Sequence, residues 1–122
     1  MPAMSVAWFP PDELSLALAE WPGLLSDFEG LEEPAAYNRK IERDLRELAV
    51  AGANDLFVAP ILVAAFREWA ADECVDAVDS ASRARYAAVV ANRGRGVFWP
   101  PARNDSCWCR SSQKYKWCCG RA

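Results

Sequence analysis

The chain has 122 residues, a net charge of −3, five cysteines and no histidine. That length fits one ordinary domain with a small appendage, and no apolar run approaches the roughly 20 residues that span a bilayer. The charge is uneven: residues 1–82 carry 5 basic and 16 acidic side chains, residues 83–122 carry 9 basic and 1 acidic.

Met1 to Pro11 has neither the basic start nor the apolar run of a signal peptide, so a reducing cytoplasm is the expected compartment. Asp12 and Glu13 follow Pro10 and Pro11 and open a segment with Leu14, Leu18, Trp21 and Leu25 at helical spacing; proline suits the first turn and acidic side chains the N-terminus. Trp21-Pro22-Gly23 interrupts this helix, and Leu24, Leu25 and Phe28 are expected to continue as a short helical turn. The strongest pattern runs from Pro34 to Ala51. There Tyr37, Ile41, Leu45 and Leu48 share a face, Glu42 and Arg46 are four apart, and Gly52 acts as a stop.

Asn54 to Ala59 reads either as a short extended segment or as the approach to a helix begun by Pro60. Leu62, Phe66 and Trp69 mark the face of that next helix, through about Ala71. Asp79-Ser80 offers a cap for a last helix carrying Tyr86, Val89 and Val90 and ending at Gly94. Arg93 to Ala102 combines a flexible glycine step with a stiff proline step, but Val97, Phe98 and Trp99 are too apolar for a free linker and are expected to pack on the helical body. The expected fold is therefore mainly α. Four to five helices over 1–101 end in a Gly/Pro linker, and a small zinc-stabilised module follows over 102–122.

Four of the five cysteines lie in this last segment as C-x-C-x8-C-C, Cys107, Cys109, Cys118 and Cys119. Neither close spacing favours an internal disulfide, and in a reducing compartment such a cluster points to metal. Zinc takes four thiolates tetrahedrally, and all-cysteine sites leave no position for water, so they are structural; ligand softness admits iron as well. Lys114 to Cys118 suits one helical turn that returns the chain across the ion. In so small a unit the metal is the core, contributing on the order of 10–16 kcal/mol. Five basic residues against Asp105 make the segment basic, but four thiolates on a divalent ion add two negative charges and leave a modestly basic knob.

The run Arg103-Asn104-Asp105-x-Cys107-x-Cys109-x-Ser111-x-x-Lys114-Tyr115-Lys116-x-Cys118-Cys119 resembles the SEC-C motif, the zinc-binding tail of SecA-like translocation ATPases and YecA-like proteins. The resemblance implies metal ligands at Cys107, Cys109, Cys118 and Cys119, the last often a histidine in the family. Trp108 stands where proline is usual, and Arg110 and Ser112 where glycines are usual, so the tight turn after Cys109 must form without glycine. Partners of the protein-export or ribosome-associated type are implied. In SecA-like proteins this tail binds an acidic chaperone surface and approaches ribosomes and lipid headgroups. Carried over as a mode, this makes Arg110, Lys114, Tyr115 and Lys116 candidate contacts.

No other chemistry stands out. Without histidine, serine–histidine and cysteine–histidine catalysis are excluded, and no glycine-rich phosphate loop occurs. Glu32-Glu33 and Asp72-Glu73 are paired carboxylates of the kind solvated at helix ends. Cys74 has no basic neighbour to activate it and is expected as a partly buried free thiol. Trp8, Trp21 and Trp69 fall with the apolar pattern, whereas the module has so little core that Trp108 or Trp117 should stay partly exposed. The expected function is that of a non-enzymatic, zinc-binding adaptor contacting a protein or ribosomal partner. Two other readings accompany it: nucleic-acid binding by the basic 83–122 half, and a thiol switch in which oxidation releases zinc.

Overall fold

The computed structural model describes residues 4–24 and 33–121. In chain order these form β1 (Met4–Trp8), α1 (Pro11–Glu20), α2 (Pro34–Val50), β2 (Leu56–Pro60), α3 (Val63–Asp72), α4 (Ser80–Asn92), β3 (Val97–Trp99) and a single 3-10 turn, Tyr115–Trp117. The expectation of a mainly helical chain is met in part, since the four helices share the fold with a three-stranded sheet of order β1-β2-β3.

The sheet corrects the expected architecture at both ends of the body. β1 pairs in parallel with β2, from Met4 opposite Leu56 to Trp8 opposite Pro60. A parallel pair needs a long crossover, and α1 and α2 lie between the two strands in sequence. Of the two readings of 54–59, the extended one holds. Pro60 does not begin a helix; it ends β2, where a missing N–H costs no interior ladder bond, and the Ile61 N–H reaches the Trp8 carbonyl at 2.8 Å instead. Helix α3 starts three residues later. Val97 to Trp99 do pack on the body, as a strand antiparallel to β2 with Trp99 opposite Leu56.

The helices otherwise follow their sequence signals. Pro11 opens α1 with Asp12 and Glu13 in its first turn, and Trp21 caps it. Leu25 and Phe28 lie outside the described residues. Asp79 caps α4, its carboxylate accepting from the Ala81 N–H at 3.1 Å, and Gly94, at φ +75°, turns the chain out of that helix. Tyr37, Ile41 and Leu45 of α2 are buried beside Trp8, Phe9, Leu56, Val58 and Phe66 in one core. The Tyr37 hydroxyl accepts the Phe9 N–H at 3.1 Å, and burial pushes its pKa up to about 12. Trp21 and Trp69 pack around Phe66, Trp69 also against Tyr86. Cys74 departs from expectation: it is exposed, at φ +55° in the turn after α3.

That core does not stop at Trp99. Cys107, Trp108, Cys109 and Tyr115 belong to the same buried cluster. Trp108 meets Trp8 of β1 edge-on, ring centroids 5.3 Å apart. Among the described residues no helix is long and apolar enough to cross a membrane.

Candidate metal centre

The tail folds as a miniature hairpin closed by a turn. Ser106 pairs with Lys114 in an antiparallel bridge. The Cys107 N–H donates to the Gln113 carbonyl at 2.9 Å and the Tyr115 N–H to the Asp105 carbonyl at 2.8 Å. The expected turn before Cys118 is the 3-10 turn, whose Tyr115 carbonyl receives the N–H groups of both Cys118 and Gly120. Gly120 is required by close approach, since a Cβ there would lie 2.6 Å from the Tyr115 ring and 2.7 Å from its carbonyl oxygen.

The hairpin and turn bring Cys107, Cys109, Cys118 and Cys119 together, with all four Sγ atoms within 4.8 Å of one another. A tetrahedron with metal–sulfur bonds of about 2.3 Å has sulfur–sulfur edges of about 3.8 Å, so the cluster has the size of one ion. No pair is bonded; Cys109 and Cys118 approach to 3.4 Å. The donor set has an electrostatic reason to take a cation. Cys109 accepts thiol hydrogen bonds from Cys107 and Cys119, which hold its pKa well below the ordinary thiol value. Donation to Cys109 pushes Cys107 up to about 11. Hydrogen bonds to Cys107 and then Cys109 push Cys119 far above the ordinary range. Among these three the negative charge is favoured on Cys109 and disfavoured on Cys107 and Cys119, and a bound divalent ion favours ionisation of thiols with release of their protons. Ser111 Oγ, 3.2 Å from Cys118 Sγ, adds a hydroxyl at the edge of the cluster.

The turn without glycine is made by brute geometry. Arg110 and Ser112 both adopt left-handed backbone, at φ +64° and +69°, where an L side chain costs about 1–2 kcal/mol. Arg110 recovers part of this by placing its guanidinium 5.7 Å from the centre of the Trp8 ring. Ser112 has no such compensation, so Ser112→Gly is expected to stabilise the chain by about 0.5–1 kcal/mol after the entropy of the freer unfolded chain is allowed for. Urea unfolding measures this; an unchanged or lower midpoint would show that the turn is not strained.

What fixes the knob to the body is a residue whose role the sequence did not reveal. Glu42 of α2 is only 4 % exposed and receives four hydrogen bonds. Its Oε1 accepts the indole N–H groups of Trp99 and Trp108, each at 3.0 Å. Its Oε2 accepts the Tyr115 hydroxyl at 2.7 Å and the Arg46 Nε–H at 2.8 Å. The expected Glu42–Arg46 pair is present, but as the floor of an interface instead of a surface contact. Arg46 also reaches the Cys119 carbonyl at 3.2 Å.

Of the proposed contact residues, Arg110 and Lys114 are exposed and Lys116 is half-buried. Tyr115 is 8 % exposed, and burial and then its bond to Glu42 raise its pKa; it lies inside the interface, which takes it out of the contact set. The two tail tryptophans divide: Trp108 is 2 % exposed and Trp117 is 64 % exposed. Trp108 in place of the usual proline is thus accounted for by its bond to Glu42 and its packing on Trp8.

A search of curated proteins and of solved structures returned no significant match to the chain. A family model, described as the SEC-C motif, matches residues 103–121 and takes in all four clustered cysteines. Residues 103–121 are thus similar to the SEC-C motif, and their four cysteines are gathered where they could hold a metal ion.

Proposed function

We propose that the chain is a non-enzymatic interaction protein whose SEC-C knob holds one structural zinc ion and presents a basic, partly aromatic surface to a macromolecular partner. The observation that carries this reading is the four-sulfur cluster, with its ligands packed against the body through Trp108 and Tyr115. Four cysteines complete a tetrahedral zinc and leave no open position for a reacting water. The metal therefore builds a surface instead of performing a reaction. On that surface stand Arg110, Lys114 and Lys116, with the Lys116 ammonium 5.5 Å from the centre of the exposed Trp117 ring. Bound zinc with four thiolates offsets part of this charge, which favours a protein or ribosomal contact over wrapping of bare nucleic acid.

Export- or ribosome-associated proteins are the partner class that the motif implies, in the cytoplasm. Lys114→Glu with Lys116→Glu is expected to abolish capture of a partner from cell lysate while leaving zinc content and the unfolding curve intact, since both side chains are outside the core. Undiminished capture, with the variant folded and metal-loaded, would rule out this face as the contact. A gel shift with duplex and single-stranded probes at two salt concentrations checks the nucleic-acid reading; binding with a steep salt dependence would replace the protein partner with nucleic acid.

A further inference from the structure

Between α2 and the knob lies an open groove of about 770 Å³ that meets the contact face above only at Trp117. Its walls carry Arg39, Arg43, Arg46 and Arg121, and Trp117 forms part of its lining. The first three arginines are spaced i, i+4 and i+7, which places them along one helical face. We propose that this groove is a binding site for an acidic peptide segment carrying an apolar residue, with carboxylates on Arg39 and Arg43 and the apolar side chain against Trp117. The proposal deepens the reading of the chain as an interaction protein, and it uses residues other than Lys114 and Lys116.

Of the four arginines, only Arg46 is committed among the described residues. Arg46 is held by Glu42 and the Cys119 carbonyl. Among the described residues, Arg39 and Arg43 make neither an ion pair nor a side-chain hydrogen bond, and both are exposed. Arg46 reaches the cysteine segment through the Cys119 carbonyl, and Arg39 and Arg43 line the same groove as Cys109, Cys118 and Cys119. The guanidinium fork is matched to carboxylates and phosphates, bidentately.

Charge selects between those two. Four guanidinium groups and one buried carboxylate line the groove; with zinc bound to four thiolates as proposed, the cluster adds two negative charges and the balance is positive by a single charge. A phosphate chain needs more than that; one or two carboxylates do not. The exposed Trp117 and the methylene stems of the arginines supply an apolar floor that a purely ionic ligand would leave unused. An exposed indole beside arginines also has the composition of a binding hot spot.

Fluorescence anisotropy with the full metal-loaded chain tests this, using a labelled Glu-Phe-Glu-Phe peptide, its Gln-Phe-Gln-Phe counterpart and an oligothymidine. The acidic peptide is expected to bind about tenfold or more tightly than the neutral one. Arg39→Glu with Arg43→Glu should lose at least about tenfold and Trp117→Ala about fivefold, while Lys114→Glu stays within about twofold. Both arginines are exposed on a helix surface, so their replacement leaves folding within about 0.5 kcal/mol, and the unfolding curve confirms it. Equal binding of the two peptides, full binding by the arginine variant, or tighter binding of oligothymidine would each overturn the proposal. Peptide binding lost with the arginine variant, combined with lysate capture that survives the Lys114 and Lys116 substitutions, would keep the groove and remove the knob face.

Discussion

Replacing Glu42 with alanine is expected to lower the stability of the chain by about 3–5 kcal/mol, because three buried donors lose their acceptor. The side chain serves four donors at once. Its removal leaves the Trp99 and Trp108 indoles and the Tyr115 hydroxyl without their acceptor. Each buried polar group left unpaired costs about 1–3 kcal/mol, and water entering the cavity limits the total. Glu42→Gln should cost less, about 1–2 kcal/mol. Its amide oxygen still serves the indoles, the Tyr115 hydroxyl can turn to donate elsewhere or accept, and Arg46, already exposed, can turn to solvent. For a chain of this size the alanine variant should melt on the order of 10–20 °C lower, as read by circular dichroism. A melting point within a few degrees of the parent would mean that the knob is held by apolar packing alone.

Removing the metal is expected to destabilise the body as well as unfold the tail. Were residues 102–121 an independent appendage, a chelator would erase their structure and leave the melting of the helices unchanged. Here the tail contributes Trp108 and Tyr115 to the core shared with Trp8, Leu45 and Leu56. It also supplies two of the four hydrogen bonds to Glu42. Without the ion nothing covalent ties the two cysteine pairs together, because all four are free thiols. Loss of Trp108 burial alone forfeits on the order of 2–3 kcal/mol. A single cooperative melt shifted down by about 10 °C or more on chelation is the expected result. An unshifted melt of the helices, with only the tail lost, would show that body and knob are energetically separate. The effect also has a direction in pH. Donation to Cys109 holds the Cys107 thiol above its ordinary pKa, so protons compete with the ion, and metal retention should weaken as pH falls.

The helices were legible because each carries its own start, face and stop. Pro11 with Asp12, the Tyr37–Ile41–Leu45 face and the Asp79 cap are local signals, and the structure keeps all three. The cysteine cluster was legible for a similar reason, as thiol spacing restricts the chemistry. The strands were not. Met4 to Trp8 contains serine, alanine and methionine, has no alternating pattern and acquires its place only by pairing with Leu56 to Pro60 far along the chain. Val97 to Trp99 was recognised as packed but is too short to announce a strand. Glu42 was hidden by the same non-locality. In sequence it is a charged residue four before an arginine, which reads as an exposed pair. Its burial depends on donors 57, 66 and 73 residues away. The signal available was the polar tip on each aromatic residue near the cysteines, since a buried indole or phenol needs an acceptor.

The most direct test of the proposed zinc site is X-ray absorption at the zinc edge on the purified full chain, with the metal quantified per chain. The expected result is one zinc ion per chain surrounded by four sulfur atoms at about 2.3 Å, with no nitrogen or oxygen in the first coordination sphere. A chain that retains its fold without stoichiometric metal, or a zinc ion bound through oxygen or nitrogen, would contradict it.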